Sequence, residues 1–186
     1  MHKSATYGIL AAALICGTAA FSSCQKKPEA KAAVVAQELP ALTSENIRTV
    51  YTDNGRVQMI MTSPLVEQYN NEQYERYEFP KGINVQFFDG NPVQKGSITS
   101  HWAHYSDKDR IWELRDSVVA INNENGAKLE TELLYWNQKT EKVWSDRFVK
   151  VTEQDQINMG TGFESDQKLE HIKILNYSGT FYVKQQ

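Results

Sequence analysis

Asp116 and Asp146 are the residues whose type and spacing come nearest to chemistry in this chain. Two carboxylates on facing walls of a cleft can share the work of a glycosidase, one protonating the leaving oxygen while the other attacks or activates water. Each stands just ahead of an alternating apolar segment, Val118-Val119-Ala120-Ile121 and Phe148-Val149-Lys150-Val151. Equivalent places of that kind fit residues that cap a turn before a strand better than an acid–base pair. His101 and His104 are three apart, which on a strand puts them on opposite faces and argues against a shared metal; His171 is remote in sequence. Gly160-Thr161-Gly162 meets Ser165 where a dinucleotide fingerprint needs a third glycine, and no Cys-x-x-Cys, P-loop or Gly-x-Ser-x-Gly elbow occurs. Asp116-Ser117-Val118 has the form of a bacterial O-glycosylation acceptor, a modification rather than a reaction. The residues ask for no cofactor and no metal, and the chain reads as a binder, not an enzyme.

The elements that must position these residues form a repeat. Gly96, Tyr105, Asp116, Val119 and Ile121 recur as Gly126, Tyr135, Asp146, Val149 and Val151. A repeat of that length is one supersecondary unit that buries its apolar side by stacking on its neighbour. Each unit holds two or three strands and no helix, an arrangement that builds an elongated surface or groove. Trp112 and Trp144 sit near equivalent points of the two units, which favours packing over an exposed sugar platform built with Trp102 and Trp136.

An address precedes the repeat. The apolar run from Tyr7 to Phe21 falls short of the about 20 residues a membrane span needs, but suits the h-region of a signal peptide. Phe21-Ser22-Ser23-Cys24 resembles a lipobox, with residues 1–23 the signal peptide and Cys24 the lipidated first residue of the mature chain. Cys16 leaves with the signal, so no intramolecular disulfide remains and the domain depends on its core alone. Residues 24–44, rich in Ala and charge, read as a flexible tether, and residues 45–186 as one domain. The formal net charge of −3 becomes one unit more negative once Lys3 is removed, which argues against nucleic acid as a partner. The absence of an acidic run after Cys24 favours a periplasmic location, tethered to a membrane.

The domain reads as β almost throughout. Asp53-Asn54-Gly55 is a hairpin turn between Ile47–Tyr51 and Arg56–Thr62, and Pro64 is expected to stop the second strand. Residues 67–77 fit a strand pair with a polar turn at least as well as a helix. Further strands are expected at Ile83–Phe87, Ser97–Trp102, Leu129–Tyr135 and Thr180–Val183, separated by turn signals every eight to twelve residues. Leu129, Thr131, Leu133 and Tyr135 are placed on one face, and Glu130 and Glu132 on the other. The fold class is all-β: a sandwich or an open twisted jellyroll of antiparallel strands.

In order, Phe79-Pro80-Lys81-Gly82-Ile83, Trp102-Ala103-His104-Tyr105, Trp112-Glu113-Leu114, Leu129 through Trp136, Ser145-Asp146 and Gly160-x-Gly162-Phe163 resemble the LptC family of lipopolysaccharide-export proteins. The likeness covers roughly residues 45–180. It departs at the N-terminus, where well-known relatives keep an uncleaved membrane helix and this chain carries a lipobox. The resemblance implies a V-shaped β-jellyroll with an apolar groove and lipopolysaccharide as cargo. Cargo would arrive from the inner-membrane extractor of LptB, LptF and LptG and leave to an LptA-like bridge protein. Transfer driven by ATP elsewhere needs no catalytic residue here.

Alternation along the strands then nominates the groove lining: Val57, Met59, Met61, Ile83, Val85, Ile98, Leu114, Val119, Ile121, Leu129, Leu133, Val149, Val151, Ile157, Met159 and Phe163. The bland alternative is that many of them form a closed sandwich core. The segment with Ile172, Ile174, Phe181 and Val183 is nominated as the edge that docks the bridge protein, and the strands near Ile47–Thr62 as the side facing the transporter. A β-sandwich lipoprotein that binds glycan or lipid outside the export machine is the competing function.

Overall fold

The computed structural model describes residues 38–70, 75–154 and 156–182. Cys24, the signal segment, most of the tether and Val183 lie outside them, as does the polar turn expected near Asn71. Eleven strands follow: β1 (Leu42–Asp53), β2 (Arg56–Asn70), β3 (Glu75–Phe79), β4 (Ile83–Phe87), β5 (Gly96–Ser100), β6 (Trp102–Ser106), β7 (Ile111–Asn122), β8 (Lys128–Asn137), β9 (Lys142–Glu153), β10 (Gln156–Asp166) and β11 (Lys173–Tyr182). Every pairing is antiparallel. The fold is an all-β jellyroll, and among the described residues no helix is long and apolar enough to cross a membrane. β1 begins at Leu42, inside the last residues assigned to the tether.

The topology folds one sheet onto itself. β2 pairs with β4 through residues 59–62 and with β3 through residues 67–70. β7 pairs with β6 through residues 111–115 and with β5 through residues 119–122. These two long strands therefore run through both half-sheets, and the circuit β7–β5–β4–β2–β3–β6 closes back on β7. β8 to β11 extend the long-strand side in order, and β1 covers the other edge of β2. The core draws on both halves: Met61, Val85, Ile98, Leu129, Val149 and Val151 from the first; Phe79, Ala103, Leu114, Leu134, Trp136, Val143 and Phe163 from the second.

The crease between the halves accounts for several departures from expectation. Pro64 does not stop β2, which continues to Asn70. Lacking an N–H, it sits where β2 has left β4 and not yet met β3, a place where no ladder bond is lost on that side. Asp116 and Asp146 do not cap turns before strands; they lie within β7 and β9, at the bends. Asp116 and Ser117 take left-handed φ values of 62° and 56°, and the β7–β8 register slips between Arg115 and Val118. Gly162, with φ 83°, bends β10 at the same level. The expected strand Ser97–Trp102 breaks at His101, so that β5 joins one half and β6 the other. Bends leave backbone groups without ladder partners, and buried hydroxyls serve some of them: Ser63 Oγ donates to the Gly82 carbonyl at 2.8 Å, and Thr131 Oγ1 to the Phe148 carbonyl at 2.8 Å. Ser145 Oγ accepts from the Arg147 N–H at 3.1 Å.

Turn chemistry follows the sequence closely. Asn54 and Gly55 both have positive φ, 49° and 75°, the geometry of a two-residue hairpin turn that matches strand twist. Gly82, with φ 79°, carries the chain from β3 in one half to β4 in the other. A Cβ there would lie 2.1 Å from the Ser100 carbonyl oxygen. Gly82→Ala should therefore combine a left-handed penalty of about 1–2 kcal/mol with a backbone clash. Urea titration should show its midpoint well below that of the native chain; an unchanged midpoint would mean that the β3–β4 corner yields freely.

Candidate functional site

Between the half-sheets lies a cleft of about 950 Å³, near the upper end of the range for small-molecule sites. Its floor is apolar. Met59 of β2 and Phe87 of β4 face Leu134 and Trp136 of β8, while Ile98, Ala120 and Val143 complete the inner surface. Phe87 and Trp136 meet edge to face at 5.6 Å, the contact that joins the two halves across the cleft, and Trp136 stacks on Trp112 at 6.3 Å. Tyr51 and Tyr105 bring hydroxyls to the walls. Burial pushes the Tyr105 hydroxyl pKa up, which keeps it a neutral donor.

The rim is polar and mixed in sign, with Asp89, Asp107, Glu124 and Glu141 against Lys95, Arg110 and Lys168. Lys95 bridges Glu124 at 2.7 Å and Asp89 at 3.2 Å, and these partners hold its ammonium pKa above the usual value. The site has the makings of a binder: an apolar interior, the neutral Tyr105 hydroxyl and a charged rim that carries the Lys95 ion pairs.

One loop crosses the mouth. Residues 167–172 join β10 to β11, leaving one half-sheet beside Glu141, whose carbonyl accepts from the Gln167 N–H at 2.9 Å. They reach the tip of the other at the β7–β8 turn, where Asn122 Nδ2 donates to the Lys168 carbonyl at 2.6 Å and Asn125 Nδ2 to the Leu169 carbonyl at 3.2 Å. Trp136 Nε1–H donates to Gln167 Oε1 at 3.1 Å. Leu169 is buried in the core despite a left-handed φ of 55°. Asp166 anchors the loop by accepting from the N–H groups of Lys168, Glu170 and His171 at 2.9, 3.1 and 2.9 Å.

Burial alone would raise Asp166; the N–H groups of Glu170, His171 and Lys168, with the His171 ring at 2.7 Å, instead hold it below the ordinary aspartate value of 3.8. Its stabilising contribution is therefore complete above pH 3.8 and is lost as pH falls through the depressed native pKa. NMR titration of the Lys168 and His171 amides should give an apparent pKa below 3.8; a value above it would mean that the strap is not held through this carboxylate. Asp166, Glu170 and His171 also bring three potential metal ligands together, a cluster the sequence reading passed over. Both Asp166 oxygens already accept hydrogen bonds from the loop.

With this geometry goes a sequence match: the family model described as lipopolysaccharide-assembly, LptC-related, covers residues 8–183. The chain belongs to the LptC family. No curated protein matches it in a direct comparison. LptC proteins act in lipopolysaccharide transport, in the periplasm and attached to the inner membrane, as transport and binding proteins.

The residues nominated for an LptC groove divide three ways. Met59 and Ile98 line the cleft. Met61, Ile83, Val85, Leu114, Leu129, Val149, Val151 and Phe163 are buried in the core that continues from it. Val119, Leu133, Ile157 and Met159 are corrections. Directly paired residues of neighbouring strands share a face. Val119 pairs with Glu130, Ile121 with Lys128, Leu133 with Arg115, Met159 with Lys150, and Ile157 with Thr152, all outer positions. Ile121 nonetheless borders the cleft, as nominated. Val57 is half-buried and outside the core cluster. On the C-terminal edge, Ile172 and Ile174 pack on the core, and Phe181 is exposed and paired with Ile157.

Apolar cleft residues that were missed include Phe87, Ala120, Leu134, Trp136, Val143 and Leu169. Leu134 and Trp136 carried a signal in principle, since a phase break in β8 converts the Leu129–Thr131 face into the Leu134–Trp136 face. Leu169 comes from a polar stretch and gave none. The tryptophans also separate. Trp112 and Trp136 are interior, whereas Trp102 lies on the outer face under Arg115 at 4.8 Å, and Trp144 stacks on Tyr135 at 5.3 Å. Trp112 and Trp144 both pack, as expected, but on different faces of the sheet, and each outer tryptophan has a neighbour against its ring. Asp116 and Asp146 are brought to one outer depression, separate from the cleft, which they line together with Leu133, Tyr135, Phe148 and the charged Glu113, Arg115, Glu130, Glu132, Arg147 and Lys150.

Proposed function

We propose that this LptC-family protein takes lipopolysaccharide from the LptB–LptF–LptG extractor into the cleft and passes it to an LptA-like bridge protein. The carrying observation is an apolar cleft between two half-sheets in a sheet whose terminal strands both keep a free edge. β1 pairs only with β2, and β11 only with β10, among the described residues. Acyl chains gain about 0.8 kcal/mol for each methylene buried in such a cleft. Free edges are templates for strand addition, which gives the β1 edge of the β1–β2 hairpin to the transporter side and β11 to the bridge side. In this reading residues 1–23 are the signal peptide, Cys24 carries the lipid anchor and residues 24–41 are the tether. The mixed rim then meets the sugar and phosphate headgroup while the acyl chains fill the floor.

In-cell photocrosslinking tests it. A photoreactive residue at Met59 or Phe87 should give a lipopolysaccharide adduct, and one at the outer positions Glu130 or Lys150 should not. Folded, membrane-bound protein that gives no adduct from either inner position would refute the cargo assignment.

A further inference from the structure

The cleft does not run the length of the groove. It is open over β2 to β8 and ends at Leu169, and beyond that residue the interior is filled. Val149, Val151 and Phe163 are 0% exposed, Ile174 of β11 pairs with Phe163 and packs on the core, and none of the four borders the cleft. The strap from Asp166 to Ile172 stands at this boundary, tied to Glu141 on one half-sheet and to Asn122 and Asn125 on the other. Of its two apolar side chains, Ile172 packs partly buried against the core, whereas Leu169 is buried in it and is held there in a backbone conformation that a leucine adopts only where its surroundings impose it. The ties on the Asn side are two carboxamide bonds, one from buried Asn122 and one from exposed Asn125, so lifting the strap breaks these and withdraws Leu169 from the interior.

We propose that Leu169 and its strap are a gate that divides the groove, positioning cargo in the β2–β8 compartment and admitting acyl chains to the β11 end only when the strap lifts. The idea rests on the cleft carrying lipopolysaccharide. Cargo then rests away from the exit edge, and docking of the next protein on β11, the strand that follows the strap, is placed to pull it open. A gate of this kind makes release depend on the arrival of the acceptor.

The test compares lipopolysaccharide adducts in cells from a photoreactive residue at Met59, on the cleft side, and at Ile174, beyond the gate, in the full membrane-bound chain. In the native background the Met59 adduct should dominate. Leu169→Gly removes the plug while suiting the left-handed backbone, and should raise the Ile174-to-Met59 ratio several-fold. Asn125→Ala, at the exposed turn, should raise it in the same direction and decides the matter if Leu169→Gly does not fold. An unchanged ratio in the folded variants overturns the gate. So does a native Ile174 adduct as abundant as that at Met59. Loss of both adducts in the native chain instead refutes the transport reading of the cleft, and the gate with it.

Discussion

Gly160→Val will free β11 from the sheet while leaving the remainder folded. Gly160 lies in β10 opposite Tyr177, at a register slip where β11 carries an extra residue. A Cβ there would be 2.4 Å from the Asn176 carbonyl oxygen and 2.4 Å from Ile174 Cγ2, both on β11. The carbonyl is backbone and cannot rotate aside, so the strands must separate. Overpacking of this kind costs about 1–3 kcal/mol, and two branched methyls add to it. Most of that cost falls on an edge strand with one neighbour, where local opening is the cheapest relief. Hydrogen exchange should show protection of the Lys173–Tyr182 amides reduced about 30-fold, the equivalent of about 2 kcal/mol, with β7–β9 little changed. Capture of an LptA-like partner should fall in step if β11 is the bridge-side edge. Native protection in β11 would show that the two strands shift together without parting, and a uniform loss throughout the sheet would show that β11 is integral to the global fold.

Where the sequence was legible, the signal was local. Asn54-Gly55 and Gly82 announce turns because their backbone conformations are disfavoured for other residues, and the structure uses them in that way. The all-β class follows from the same punctuation together with the alternation of the strands. What could not be read is the phase of strands that cross the crease. Alternation has period two only while the ladder is regular; a single extra residue turns every later side chain to the other face. The thirty-residue repeat aligned Val119 with Val149 and Ile121 with Val151, yet β7 points Val118 and Ala120 inward while β9 points Val149 and Val151 inward. Both strands expose three residues at the bend and then alternate inward and outward alike, but they match at a spacing one residue longer than the repeat, which puts Val118 and not Val119 in the place of Val149. In β8 the phase changes within Glu132-Leu133, where three consecutive non-polar residues follow and any could have been the inward one. Leu169 was unreadable for a different reason. It is a lone apolar residue between Lys168 and Glu170, and only the loop's crossing of the mouth makes it part of the interior.

Trp136→Ala should be the most damaging single truncation in the cleft, for reasons that local sequence does not carry. The indole is the meeting point of three elements: Phe87 from the opposite half-sheet at 5.6 Å, Trp112 from the neighbouring strand at 6.3 Å, and the strap through its Nε1–H bond to Gln167 at 3.1 Å. Truncating a buried tryptophan costs about 3–5 kcal/mol, which for a domain of this size lowers the melting temperature on the order of 10 °C. Trp136→Phe separates the parts of that cost. It keeps an aromatic edge for Phe87 and loses the N–H, leaving Gln167 unpaired at the rim; a loss of about 1 kcal/mol is expected for the bond. Calorimetric melts of the two variants should therefore differ widely, with alanine far below phenylalanine. Equal melting points would mean that the strap bond, and not packing across the cleft, holds the halves together. An alanine variant as stable as the native chain would mean that the halves are held by the crease alone, so that the cleft can widen at no cost when cargo enters.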